Sequence, residues 1–195
     1  MVLAEKYHHF RSHGTTYTPG HGNMPGTTTS TTYDVYECGD MMMCKIDAAG
    51  AISWMQVLPK AQREVVMTSY SSSTGSWGYF YDIGIMPRYS GFGAVQSKNA
   101  INIIFNDSPK NADVLKAGQK VKTLRRFGKS ECYVVSVNQE TGKLTRKLFF
   151  SNEDVPTSMP RLGAVIGDQM YIVGKDDPTF SFGRAKIAVA KITIN

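Results

Sequence analysis

This chain repeats one sequence pattern, which consists of a short apolar run, a polar turn and a second apolar run. The pattern constrains the fold more than any other feature of the sequence. The first copy spans residues 41–60, with Asp47 and Gly50 in its turn. The second copy carries Asn138 and Gly142 in the corresponding turn. Two β-type runs on either side of an Asp/Asn-and-Gly connection are typical of a β-hairpin. The sequence therefore predicts two related hairpins.

The repetition predicts an all-β chain. Residues 187–192 repeat the first apolar run of the pattern once more. Hairpins that recur along a chain indicate a propeller or solenoid-like architecture, in which each unit covers the next. Almost no segment shows a 3.6-residue apolar period, so we expect less than about one-tenth helix, against a typical ~30–35%. The predicted fold is a set of antiparallel hairpin repeats in a partial β-propeller, with a β-sandwich as the alternative.

Length and composition fit a single all-β domain over residues 1–195, or a fragment of a larger propeller. The chain can bury a sizeable core, and its hydrophobic share of 42% argues against wholesale disorder. No apolar run approaches a membrane-spanning helix, and residues 1–5 lack the pattern of a signal peptide. Two compartments stay open: the cytoplasm, or the periplasm or cell surface if an export signal has been removed.

Apolar residues in the repeated runs are expected to form the core. They are Ile46, Trp54, Ile103, Phe105, Val135, Val137, Ile172 and Val189. The cysteines Cys38, Cys44 and Cys132 are an odd number without a CxxC spacing, which fits neither a disulfide framework nor a zinc site. Their disulfide pairing cannot be deduced, and buried thiols are the prediction.

Residues 11–32 are rich in Gly, Pro and Thr, which predicts a long surface loop. Loops of this length are usually functional or disordered. Four histidines, His8, His9, His13 and His21, lie in or beside it. Neutral imidazole is a common metal ligand, but no Asp, Glu or Cys is spaced among them to complete a site. We therefore expect exposed histidines, and we assign no metal and no cofactor.

An aromatic stretch offers candidate ligand-binding residues: Trp77, Tyr79, Tyr81 and Tyr89. Rings exposed on a strand or loop can stack on sugars or bases. The alternative is an aromatic core between sheets, because half of the side chains on a strand point inward. If the stretch forms a platform, the first three rings share one face.

A basic patch forms the second candidate surface. Its residues are Lys120, Lys122, Arg125, Arg126 and Lys129. Within a chain of net charge +6, such a patch can attract phosphate or acidic polysaccharide. A solvated loop or a lysine-protected strand edge is the favoured explanation of the patch. No nucleic-acid-binding motif accompanies the patch, so nucleic acid is not an expected partner.

No catalytic motif appears in the sequence. It lacks a Gly-x-Ser-x-Gly elbow, a His-Glu-x-x-His motif and a phosphate-binding Gly-rich loop. Glu64, Asp82, Asp107 and Asp154 could supply a glycosidase pair, but that chemistry depends on a spatial separation that sequence does not reveal. Each fits a turn or a cap better, since Asp stabilises turns through its own backbone contacts.

Three segments carry a family resemblance. The first is AEKY at residues 4–7, and the third is FND at 105–107 followed by Asn111. The second is KID at 45–47 with Gly50, Ile52 and Trp54, followed by LPKAQ at 58–62. They resemble recurrent phrases of uncharacterised exported β-propeller-like repeat proteins of Gram-negative bacteria. The resemblance covers most of the chain outside the Thr-rich segment. It implies that this chain is the C-terminal portion of a longer protein, and it carries no catalytic residues with it.

These observations lead to an expected function. It is a non-catalytic binding or scaffolding module of the cell envelope that recognises a glycan or a protein partner. The alternative is a glycoside hydrolase, or another carboxylate-based hydrolase, on a β-propeller. Because repeat units are stable only when neighbours cover their faces, self-association through open repeat ends is a further expectation.

Overall fold

The computed structural model describes residues 1–73, 86–167, 169–176 and 185–193. These residues form three antiparallel sheets, and strand accounts for 60% of the structure against 5% for helix. The helical residues described are three short 3-10 turns. The all-β prediction and the predicted low helix content are therefore confirmed. The described strands close into neither a barrel nor a propeller.

The first sheet is organised around one long strand. Its strands are β1 (Val2–Thr18), β2 (Thr27–Ile46), β3 (Ile52–Leu58) and β4 (Gln62–Ser72). Strand β2 pairs with β1 along one side, and on its other side with β3 near its end and β4 near its start. The β2–β3 pair is the first predicted hairpin, closed by Asp47, whose Oδ1 accepts the N–H groups of Ala49 and Ala51.

The loop predicted over residues 11–32 is wrong for most of its length. Residues 11–18 belong to β1 and residues 27–32 belong to β2, so only residues 19–26 lie outside the strands. Thr is β-branched and favours strands, and here the Thr-rich runs face each other, as in the pair Thr16 and Thr29. The Gly and Pro residues of this segment, except Gly14, lie at the tip. We call residues 11–32 the arm.

The middle sheet has strand order β5-β6-β7-β8. Its strands are β5 (Gly93–Gln96), β6 (Ala100–Asp107), β7 (Glu131–Asn138) and β8 (Leu144–Ser151). Strands β7 and β8 are the second predicted hairpin. Its turn matches the first in chemistry, because Asn138 Oδ1 accepts the N–H groups of Glu140 and Thr141.

The third sheet has strand order β11-β10-β9. Its strands are β9 (Ala164–Ile166), β10 (Gln169–Asp176) and β11 (Lys186–Thr193). The β9–β10 hairpin turns at Gly167, whose φ of +63° suits glycine.

The middle sheet is packed on both faces. From β6, Ile103 and Phe105 belong to a buried cluster with Met41, Met43 and Leu58 of the first sheet. On the opposite face of β6, Ile104 packs in a second cluster that includes residues of the third sheet. Because successive residues of a strand point to opposite faces, one strand contributes to both layers of core.

Five of the eight predicted core residues are fully buried: Ile103, Phe105, Val135, Val137 and Ile172. Trp54 is half-buried and packs against the first cluster. The prediction is wrong for Ile46 and Val189, which are 44% and 65% exposed. Both lie in the outer sheets, where one face of each strand has no described layer above it.

Residues 105–111, one of the segments that carry the family resemblance, have a structural role. Phe105 is buried. The Asn106 side chain donates to the backbone carbonyls of Tyr89 and Ser158, and it accepts from the Asn152 amide and the Ser158 hydroxyl. Gln62 of β4 also donates to the Asn106 carbonyl at 2.6 Å. Asn106 therefore ties β4 and the segments that carry Tyr89, Asn152 and Ser158 to β6.

Candidate functional site

A pocket of about 460 Å³ opens where β2 changes partners. Gly39 and Asp40 lie between the segment of β2 that pairs with β4 and the segment that pairs with β3. On the other side, β1 has a register shift at the same level, so Lys6 stands opposite two residues. Pro59 follows β3 and cannot donate a backbone hydrogen bond. The interrupted ladders leave room for the pocket.

A buried lysine lies beneath this pocket. The Lys60 side chain is fully buried, with Nζ 2.6 Å from Glu5 Oε1 and 2.7 Å from Gln62 Oε1. The same ammonium lies 5.9 Å from the centre of the Phe105 ring. The backbone N–H of Lys60 donates to Asp40 Oδ1 at 3.1 Å. A buried charge needs such compensation, so these contacts hold Lys60 in place.

The pocket mouth carries charges of both signs. Lys6, His8, Glu37 and Arg63 contribute to its lining. The Glu37 carboxylate is shared between Arg63, at 3.5 Å, and His8, at 3.6 Å. All three side chains are at least one-third exposed, so these pairs are weak and can rearrange around a ligand.

Cys38 lies in the pocket wall but is not suited to nucleophilic chemistry. Its side chain is 1% exposed, and burial raises the pKa of its thiol. Because the thiolate is the reactive form, the native site disfavours attack by Cys38. All three cysteines are buried, as predicted, and each is a free thiol.

The predicted basic patch lies beside the pocket. Leu124 forms a parallel bridge with Gln62, and the backbone bonds Leu124 N to Ala61 O and Arg63 N to Leu124 O are both 2.8 Å. Leu124 and Phe127 are buried and anchor the segment, while Thr123 contributes to the pocket lining. The five patch residues Lys120, Lys122, Arg125, Arg126 and Lys129 are exposed. Within the described ranges none of the five forms an ion pair.

The aromatic stretch is only partly described. Trp77, Tyr79 and Tyr81 lie outside the described residues. Tyr89 lies within them, with its ring stacked on Phe127 at 5.9 Å between centroids. Its hydroxyl donates to the Lys175 carbonyl at 3.2 Å. Tyr89 therefore links the patch segment to β10, and both ends of its side chain are engaged within the protein.

The histidines are spread along the arm and its base. His9 stacks on Tyr36, and its Nε2 lies 3.4 Å from Asp34 Oδ1. His13 Nδ1 lies 3.1 Å from the Thr32 hydroxyl. Among the residues that the structure describes, no three His, Cys, Asp or Glu side chains are grouped to hold a metal ion.

Asp34 is the anionic centre of the arm's base. The Arg11 guanidinium donates to Asp34 Oδ1 at 2.9 Å. This hydrogen bond, together with the Arg11 charge and His9, holds the pKa of Asp34 below its ordinary value against the opposing effect of burial. Asp34 therefore stays ionised and fastens β1 to β2.

The described carboxylates singled out in the sequence are not paired in a cleft. Glu64 accepts the backbone N–H groups of residues 88–90, at 2.7–3.0 Å, and so holds the chain that leads to β5. Asp107 is fully buried and accepts from Arg146 Nη2 at 2.9 Å and from Asn111 Nδ2 at 2.7 Å. Asp154 is exposed in a turn, and Asp82 lies outside the described residues.

Sequence reasoning missed the pocket itself. Lys6, Lys60 and Arg63 are separated along the chain and belong to no motif. One signal was present: Pro59 between two β-type runs indicates that the strand pairing must break there. The residues that meet at the break depend on the register of three strands, which sequence does not show.

Comparisons with protein-family models, with curated proteins and with solved structures find no match to this chain. The described residues contain no helix long and apolar enough to cross a membrane.

Proposed function

We propose that this protein is a non-catalytic binding module of the cell envelope, and that it takes an acidic glycan at the pocket and the adjoining basic patch. The observation that supports this proposal is the contact between the two features. Thr123 lines the pocket, and its neighbour Leu124 is hydrogen-bonded to residues 61 and 63 of the pocket wall. A glycan chain leaving the pocket would therefore pass over Lys122 or Arg125.

The charge balance favours an anionic ligand. Within the pocket, Asp40 is engaged by the Lys60 backbone and Glu37 by Arg63 and His8. The patch adds five exposed cations without described counter-charges. Clustered charges of one sign raise the local concentration of an oppositely charged ligand, and Arg offers paired donors to carboxylate or sulfate groups.

The carboxylates support a binding role over hydrolysis. Glycoside hydrolysis requires two carboxyl groups held about 5–10 Å apart across the scissile bond. Glu64 and Asp107 are instead saturated by backbone N–H groups, Arg146 and Asn111. Protonating or moving either one would release a loop that the fold depends on.

Polygalacturonate and neutral dextran of matched length are the probes that test this function. By isothermal titration calorimetry we expect binding of polygalacturonate only, weakening steeply as salt is raised. The variant Lys122→Gln/Arg125→Gln should lose at least tenfold in affinity. The matched control Lys143→Gln/Lys147→Gln removes the same charge from exposed positions at β8 and its turn, and should bind normally.

Three outcomes would contradict the proposal: binding of neither polymer, equal binding of both, or equal losses in the two double variants. Poly-glutamate serves as a further arm. Tighter binding of poly-glutamate than of polygalacturonate would replace the glycan by an acidic protein segment as the ligand.

The repeat architecture and self-association belong to the same proposal. The middle sheet has the sequential four-strand order of a propeller blade, and it stacks between two other sheets, which supports a partial propeller. The outer sheets leave apolar residues exposed, such as Met55 in β3 and Ile166 in β9. We expect a second copy to cover these faces head to tail, because each face resembles the buried faces within the chain.

Light scattering after size exclusion measures this self-association. The mass should rise above 21.5 kDa with concentration, and Met55→Glu should return it to that of the monomer. A mass that stays at 21.5 kDa at all concentrations contradicts self-association without affecting the glycan proposal.

A further inference from the structure

The third sheet has one strand fewer than the sheet it packs against. In the described residues the middle sheet has four strands and the third sheet has three. Their shared core includes residues of β6 and β7 on one side and of β10 and β11 on the other. Phe150 of β8 is only partly buried at the margin of this core. The third sheet thus covers Phe150 of β8 less completely than it covers Ile104 of β6 and Cys132 of β7.

An apolar cavity of about 250 Å³ lies at this margin. It is lined by Phe150 and Val155 on one side and by Ile172, Ala188 and Ala190 on the other. Ala188 and Ala190 are the inward-facing, half-buried residues of β11, next to Ile192, which is fully buried. Their short side chains leave the cavity empty. Apolar cavities of about 150 Å³ already hold a benzene-sized group, so larger apolar side chains fit here.

The cavity borders the edge of β11 that lies away from β10. Strand β11 pairs with β10 over its full length, and no described strand pairs with its other edge. Such an edge presents a row of backbone N–H and C=O groups that can pair with another extended chain. A peptide strand, unlike a small apolar molecule, satisfies these groups and fills the cavity together.

The charges on β11 indicate what kind of strand it accepts. Lys186 and Lys191 are both exposed near the two ends of the strand. Two lysines on an edge oppose pairing with a second copy of the same edge, because like charges would be brought together. Opposite charges across neighbouring strands are favourable. A strand with carboxylates near its ends is therefore preferred.

We propose that the edge of β11 that lies away from β10 is a peptide-binding site that adds one extended strand. Apolar side chains at alternate positions of the added strand fill the cavity against Phe150, and its acidic residues lie near Lys186 and Lys191. This is strand addition, in which backbone pairing supplies affinity and alternate side chains supply specificity. The site lies on the third sheet and does not depend on the glycan pocket of the first sheet.

A fluorescein-labelled nine-residue peptide tests this site, with Glu at both ends and Val or Leu alternating with Thr between them. A scrambled peptide of the same composition, with its apolar residues grouped together, is the control. By fluorescence anisotropy we expect the alternating peptide to bind at least tenfold more tightly than the scrambled one. Equal binding of the two peptides, or binding of neither, would overturn the proposal.

Two variants assign the binding to this edge. Ala190→Leu fills the cavity from within and should weaken binding at least tenfold, whereas Ile187→Ala, on the exposed opposite face, should leave it unchanged. If circular dichroism shows that Ala190→Leu does not fold, the double variant Lys186→Glu/Lys191→Glu is used instead. Both of its positions are exposed, and it should also weaken binding. Unchanged affinity in a folded variant of either kind overturns the site.

Discussion

Trp54 of the first hairpin donates its indole N–H to the backbone carbonyl of Gln139 in the turn of the second hairpin, at 3.2 Å. The same indole covers Gly142, where an added Cβ would lie 2.7 Å from the ring. The two repeats are thus joined directly, with the aromatic residue of one packed on the turn of the other. This contact needs a glycine for two reasons, space and a φ of +69°.

Gly142→Ala should therefore destabilise the protein more than Gly50→Ala. Gly50 occupies the corresponding turn with a φ of +85° and has no atom near its Cβ position. Both changes carry the left-handed backbone cost of about 1–2 kcal/mol. Only Gly142→Ala adds the collision with Trp54, at about 1–3 kcal/mol for overpacking. Urea titrations measure both free energies of unfolding, and equal losses would contradict the contact.

The buried pair of Lys60 and Glu5 should be more sensitive to the loss of one partner than to the loss of both. Glu5→Gln leaves the buried Lys60 ammonium without its counter-charge and should cost about 3–5 kcal/mol of unfolding free energy. Adding Lys60→Met to Glu5→Gln should recover much of that loss, because no charge then stays buried. A double-mutant cycle in guanidinium chloride measures the coupling.

The exposed pair of Glu37 and Arg63 is the control for this cycle. Its side chains are 41% and 33% exposed, so Glu37→Gln should cost less than about 1 kcal/mol. Strictly additive losses for Lys60 and Glu5 would show that their charges do not interact in the folded protein.

Asp34 should contribute stability that is lost in acid. Its pKa is lowered in the folded protein by Arg11, so folding favours the ionised form. The contribution is present above the ordinary Asp pKa of about 3.9 and disappears as pH falls through the lower folded-state value. Near neutral pH the wild-type protein should therefore unfold at a higher urea concentration than Asp34→Asn. The difference between the two urea midpoints should narrow in acid. The exposed Asp154→Asn serves as control and should show no such difference at any pH.

Cys132 should resist alkylation in the folded protein. Its side chain is fully buried, and burial raises the pKa of its thiol to about 12. Iodoacetamide should therefore modify Cys132 only when the chain unfolds. Peptide mass spectrometry after labelling with and without urea measures this. Rapid labelling of the native protein would place Cys132 at an accessible site instead.

The hairpins could be predicted from sequence because their causes are local. Asp47 and Asn138 close turns with their own side chains, and the flanking runs have the period of a strand. Ile103 and Val135 were likewise predictable core residues, since a short apolar run in the middle of a sheet has both faces covered. The same rule failed for Val189, because burial there depends on a layer that lies outside its own strand.

The arm shows how pairing can override composition. Gly, Pro and Thr together suggested a loop. However, twelve Cα pairs from Tyr7–Cys38 to Thr18–Thr27 follow one unbroken antiparallel register, so the Thr-rich runs form strands. Of the predicted loop, only residues 19–26 at the tip lie outside the strands. These segments form strands because the neighbouring strands hydrogen-bond their backbone N–H and C=O groups, which in a loop would be hydrogen-bonded to water.

The sequence by itself determined the strand class, the two hairpin turns and the cationic character of residues 120–129, because each depends on side-chain chemistry within a few positions. Only the tertiary structure decided that this cationic segment lies against a pocket, and that Lys60 and Glu5 meet beneath it. These juxtapositions arise from strand register and from the break after Pro59. Register is a property of chain segments far apart in sequence, so no local pattern contains it.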